Sequence, residues 1–222
     1  MFQIFFLLAG LLPVYSSVGT ASETDSLLRK MDAAYAKVKD YQASMEIREH
    51  GRDGYFKTEK FLYTFKKPNR IRLDFESPHS GMVLVYPDRN GNVVIRPWGW
   101  ARFFKFHMAP DSSLLGVSSG QQIDQTDLGL LIKNISSSLT DNRRGQLELV
   151  EDDKHIRVRV LADNHFREGV VTLYQFLIDK KLWLPIGVEE STPDGTLERT
   201  VIFRTLKVNI SVPESFFQLD GG

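Results

Sequence analysis

Residues Phe65 to Pro78 read FKKPNRIRLDFESP, and this stretch decides how the chain is built. Apolar Ile71, Leu73 and Phe75 alternate with Arg70, Arg72, Asp74 and Glu76, the two-residue period of a strand with one greasy and one wet face. The four charges are predicted to stand in water. The greasy face can serve a sealed core, a lipid or the floor of an active site.

The same period continues on both sides. Runs at about 41–50, 55–66, 69–76, 82–87, 92–97 and 101–108 read as strands, separated by Gly51-Arg-Asp-Gly54, Lys67-Pro68-Asn69, Pro78 to Gly81 and Asp88-Arg-Asn90-Gly91. After an irregular, helical block from Pro110 to Thr140, strands resume at about 146–151, 155–162, 169–179, 182–190 and 197–208. Before the first strand, Leu27, Leu28, Met31, Ala34, Tyr35 and Val38 recur at three- and four-residue steps. That stripe predicts a helix over 22–40, with Ser22 and Asp25 as an approximate capping box.

The fold class is therefore α+β, mainly β, with about eleven antiparallel strands forming a sandwich, a barrel or one curved sheet. With 222 residues, no repeat and no composition break, it reads as one domain. Its concave side is aromatic. Phe61, Tyr63 and Phe65 share a face, as do Ile71, Leu73 and Phe75, and Trp98, Trp100, Phe104, Phe106 and Met108 fall on one parity. Fifteen Phe supply large apolar area with few hydrogen-bonding demands.

The 28 basic and 28 acidic side chains cancel, which argues against nucleic acid as a partner, since phosphates demand a basic face. The apolar run Phe5 to Val14 is short for a membrane span and is followed by small residues. It reads as a signal peptide over 1–21, cut near Ala21 and leaving 22–222 as the exported domain, with an uncleaved anchor as the alternative. With no cysteine, neither a disulfide nor a lipid-modified N-terminal Cys is available.

Catalytic signals are weak. Gly116-Val117-Ser118-Ser119-Gly120 matches G-x-S-x-G, but that elbow needs a strand before Ser118 and a helix after it in a parallel sheet. His50, His79, His107, His155 and His165 are scattered without metal-ligand spacing, and His107 reads as a surface histidine. The pairs Asp152-Asp153 and Glu189-Glu190 fall at turns or strand ends and read as solvent-facing rather than as a catalytic dyad. No phosphate loop or dinucleotide fingerprint occurs, and no cofactor or metal is called for.

An amphipathic helix, a first strand Tyr41-Gln-Ala-Ser-Met-Glu-Ile, a strand ending Phe65-Lys66-Lys67-Pro68-Asn69, the stretch Arg70 to Glu76, and Asn90-Gly91 leading into Trp98 follow one another. With Ile178-Asp179, Leu184-Pro185, Asp194-Gly195, Lys207-Val208-Asn209 and Val212-Pro-Glu-Ser-Phe216-Phe217, this order resembles the LolA-like superfamily of exported lipoprotein carriers. The middle, Asp111 to Leu131, looks closer to uncharacterised members than to the dedicated carrier.

The resemblance implies a half-open antiparallel barrel of about eleven strands, with the N-terminal helix and a helical insert as a lid across the concave face. It implies a non-enzymatic, periplasmic, monomeric protein that holds lipid or lipoprotein acyl chains in an apolar cavity. Phe61, Tyr63, Phe65, Ile71, Leu73, Phe75, Trp98, Trp100, Phe104 and Phe106 would line that cavity. In the carriers an arginine before the proline latches the lid through backbone carbonyls. Lys67 stands there in this chain, with three donors but no planar fork, so its latch would be weaker or different. The same fold serves in envelope-stress regulators that recognise mislocalised lipoprotein or another protein, an envelope membrane protein among the candidates, which is the alternative function. A hydrolase using Ser118 is a third.

Overall fold

The computed structural model describes residues 15–18, 21–51, 54–112, 123, 126–140 and 147–219. The G-x-S-x-G stretch around Ser118 lies outside the described residues. Eleven antiparallel strands, β2 (Asp40–His50), β3 (Phe56–Lys66), β4 (Arg70–Ser77), β5 (Val83–Tyr86), β6 (Val93–Arg96), β7 (Phe106–Met108), β8 (Leu147–Glu151), β9 (His155–Asp163), β10 (Val171–Asp179), β11 (Leu184–Ser191) and β12 (Leu197–Val208), form one sheet. A short twelfth, β1 (Tyr15–Val18), pairs with β8. It falls inside the segment read as a signal peptide.

The sheet order is β1-β8-β9-β10-β11-β12-β2-β3-β4-β5-β6-β7. Neighbours are hairpin partners except at β1–β8 and β12–β2, where β12 returns to join β2. The ends, β1 and β7, do not pair with each other, so the sheet curves without closing. Strands wrap this way because the inner positions carry large apolar side chains that one flat face could not bury.

Two helices cover the concave side. Helix α1 (Ala21–Ala36) buries Leu27, Leu28 and Met31, and α2 (Leu128–Thr140) buries Leu128, Ile132, Ile135 and Leu139. Both stripes join the inner faces of the strands in one core. Each such fully buried side chain contributes about 1.5–3 kcal/mol. Helix α1 begins at Ala21, so Ser22 lies within the helix rather than at its cap, and the helix stops short of Lys37 and Lys39. No helix among the described residues is long and apolar enough to cross a membrane.

Two expectations fail on the outer face and at the sheet edge. Arg72 and Asp74 are not in open water. Arg72 holds Asp74 through Nε and Nη2 at 2.8–3.1 Å, donates to the Phe216 carbonyl at 2.8 Å, and stacks 4.4 Å over the Phe216 ring. The C-terminal segment has folded back here, sealing Val83 and Val85 under Val212 and Phe217 in a second small core. Buried Asp40 fixes that segment by accepting the amides of Ile210, Ser211 and Val212. The predicted strand 101–108 is instead a 3-10 turn, Gly99–Phe103, followed by the three-residue β7. The two-residue period that grouped Trp98 with Trp100, Phe104 and Phe106 does not hold through such a turn.

Candidate functional site

Strand register arranges the concave face as rows running across the sheet. One row joins Ile71, Phe65 and Tyr41. Tyr41 stacks on Phe65 at 5.2 Å and on Tyr63 at 5.7 Å, and Tyr41, Phe65 and Ile71 are at most 2% exposed. Here the helices sit directly on the sheet and the face is sealed.

Two rows further along, Phe75, Phe61, Met45 and Phe203 lie side by side, then Ile47, Val201, Val188 and Phe176. Here the sheet curves away from α2 and leaves a cavity of about 380 Å³. Leu130 and Leu131 of α2, with Ile123, roof it. That volume lies within the range of small-molecule sites, and the walls are mainly apolar.

Phe61, Tyr63, Leu73, Phe75 and Trp98 line the cavity, whereas Phe65 and Ile71 belong to the sealed row. Trp100, Phe104 and Phe106 lie outside it and are 83%, 54% and 46% exposed. Strand β4 is therefore split: Ile71 closes the core while Leu73 and Phe75 face open space.

The next row is charged. Glu49, Arg199 and Glu190 stand opposite one another on β2, β12 and β11. Arg199 reaches Glu49 through Nε at 3.2 Å and Glu190 through Nη1 at 3.0 Å. Glu190 and Arg199 are 6% and 7% exposed, so Glu190 is not the solvent-facing strand end that sequence position suggests. Burial this deep is tolerated because the two side chains are paired with each other. Both line the cavity with Glu59, whose carboxyl is pushed above the ordinary range by burial and by the neighbouring charge of Glu49. The cavity is thus apolar along its length and ionic at one end.

Helix α2 is held at both ends. Asp127 is its N-cap, with Oδ1 accepting from the Gly129 and Leu130 amides. The same oxygen accepts from the Tyr35 hydroxyl at 3.0 Å. The Leu128 amide donates to the Tyr41 hydroxyl at 3.0 Å, and the Tyr63 hydroxyl bonds Thr126 Oγ1 at 3.1 Å. Burial first of all pushes all three phenols upward, so they remain neutral. Towards the other end, Ser138 Oγ and His165 Nε2 lie 2.9 Å apart, and burial holds the imidazole below its ordinary value.

Lys67 Nζ donates to the Tyr35 carbonyl at 2.8 Å and sits 4.2 Å above the Tyr35 ring. It therefore grips the end of α1 directly, and Tyr35 in turn bonds Asp127 at the start of α2. His107 is exposed and bonds Asp88 at 2.8 Å. No group of three or more metal-binding side chains occurs among the described residues.

Met45, Val188, Val201 and Phe203 line the cavity without having been singled out from sequence. Their alternation was visible on β2, β11 and β12, but not that these distant strands meet. Glu190 and Arg199 left a subtler trace: each shares the parity of inward apolar neighbours, Val188 and Val201.

No family model matches the chain, and no curated protein matches it. Solved structures do. The chain is similar to a LolA superfamily protein from Nitrosomonas europaea at 10% identity, covering 88% of this chain and 97% of that one, TM-score 0.38. It is similar to a putative outer membrane lipoprotein-sorting protein domain from Vibrio parahaemolyticus at 11% identity, covering 88% and 97%, TM-score 0.42. It is also similar to the Pseudomonas aeruginosa MucA/MucB complex at 16% identity, covering 89% of this chain and 61% of that one, TM-score 0.46.

Proposed function

We propose that this protein is an exported, non-enzymatic binding protein that holds an acyl chain, free or attached to a lipoprotein, between its curved sheet and α2. The observation that carries this reading is the 380 Å³ cavity, mainly apolar in its walls, with half-exposed Trp98 in its lining. Each methylene taken out of water gains roughly 0.8 kcal/mol. Part of that gain offsets the loosening of α2 that entry requires.

The route of loosening is set by what holds the helix. Lys67, Tyr35 and Asp127 couple α1 to the start of α2, and the Ser138–His165 bond ties its later half to the connection after β9. Release at either end widens the cavity without unpairing a strand. The ionic row at Glu190 and Arg199 marks where the polar end of an amphiphile would lie.

The test is uptake of a fluorescent long-chain fatty acid, together with native mass spectrometry of protein purified without detergent. Saturable uptake at one molecule per chain, or a co-purified lipid mass, is the expected result. A clean apo mass with no uptake would overturn it, and a protein that instead captured an envelope peptide would act as a sensor.

A further inference from the structure

Residues 98–106, WGWARFFKF, do not take part in the cavity beyond Trp98, yet they are the most exposed aromatic cluster described. Trp100 is 83% exposed, Phe103 78%, Phe104 54%, Trp98 47% and Phe106 46%. They occupy the 3-10 turn and the start of β7, the last strand of the open sheet. Water meets these rings directly, and aromatic area gathered in one place normally marks a contact surface.

Charge narrows the choice of contact. From Arg89 to Pro110 there are four basic residues, Arg89, Arg96, Arg102 and Lys105, and no acidic one, in a chain whose formal net charge is zero. Arg102 is exposed and packs 5.1 Å from the Phe103 ring. Tryptophan and phenylalanine interleaved with cationic side chains suit the boundary between headgroups and acyl chains. There the rings enter the apolar layer and the cations meet anionic phosphates. Trp98 joins this surface to the cavity, since it is half-exposed, lines the cavity, and packs against His79 at 4.4 Å between ring centres.

We infer that the 98–106 turn is a docking surface for a bilayer bearing anionic headgroups, placed so that the cavity mouth meets the membrane. Docking stands apart from cavity loading, and the two are measured separately.

The experiment is co-sedimentation with vesicles of phosphatidylcholine alone or mixed equally with phosphatidylglycerol. Binding to the mixed vesicles should be about tenfold tighter and should weaken as salt screens the cations. The double variant Trp100→Ser/Phe103→Ser alters only exposed side chains and should bind about tenfold more weakly with its melting temperature nearly unchanged. Arg102→Glu should lose the preference for phosphatidylglycerol, while the cavity variant Leu73→Glu should keep it. Equal binding by wild type and the double variant, or no vesicle binding by wild type, overturns the inference. A stoichiometric protein complex through these residues without vesicle binding would give the surface to a protein instead.

Discussion

The Tyr35 hydroxyl donates to Asp127 Oδ1 at 3.0 Å across 92 residues of sequence, joining the end of α1 to the N-cap of α2. The contact is close enough to dictate a neighbour. A Cβ on Gly129 would lie 2.6 Å from Tyr35 Cε1 and 2.7 Å from its hydroxyl. Glycine stands inside the first turn of α2 because the ring already occupies that space.

Gly129→Ala should therefore destabilise the protein by about 1–3 kcal/mol, although alanine is the better helix former by about 1 kcal/mol. Tyr35→Phe keeps the ring and loses the bond, at about 0.5–1.5 kcal/mol. In urea melts, Gly129→Ala should be much less damaging in a Tyr35→Ala background, with a coupling of about 1 kcal/mol or more. Strict additivity would show that the two helices are not in contact here.

Leu73→Glu and Leu131→Glu place a carboxylate in the wall and the roof of the cavity, and each should abolish fatty-acid uptake. Leu131 is only partly buried, so that variant should fold even if Leu73→Glu does not. Ile71→Ala, two residues along β4 but in the sealed row, should cost about 2–5 kcal/mol and leave uptake per folded molecule intact. If Ile71→Ala lost uptake while Leu131→Glu kept it, the cavity would not be the binding site.

Glu59 gives a pH signature. Burial, then the charge of Glu49, raises its folded value above the ordinary 4.5. The folded state then holds its proton more tightly than the unfolded chain. Stability is lost as pH rises through the folded value and is unaffected below about 4.5. Glu59→Gln removes this cost, so its melting temperature should exceed wild type at pH 7 and the gain should vanish as the pH falls to about 4.5 and below. A gain that persists unchanged in acid would trace to something other than ionisation.

Most strands were legible in the chain because each depends on its own alternation and on turn residues beside it. Phe61, Tyr63, Leu73 and Phe75 come side by side because β3 and β4 form an adjacent hairpin whose turn sets the register. Trp100, Phe104 and Phe106 were misplaced because parity was carried through a turn of different period. Glu190 and Arg199 were missed because a buried ion pair between β11 and β12 becomes visible only when the pairing is known.

Sequence by itself determined that strands such as Arg70–Ser77 have one apolar face, that a helix must lie on something apolar, and that the chain is a run of antiparallel strands that could close as a sandwich, a barrel or one curved sheet. These are local facts, set by side-chain period and turn chemistry. Only the tertiary structure decided that Ile71 is sealed while Leu73 and Phe75 border empty space. That difference of two residues depends on how far the sheet curves away from α2, and curvature is a property of all the strands together. The same holds for Lys67, whose partner carbonyl at Tyr35 lies 32 residues back and comes within reach only once α1 has folded across the sheet.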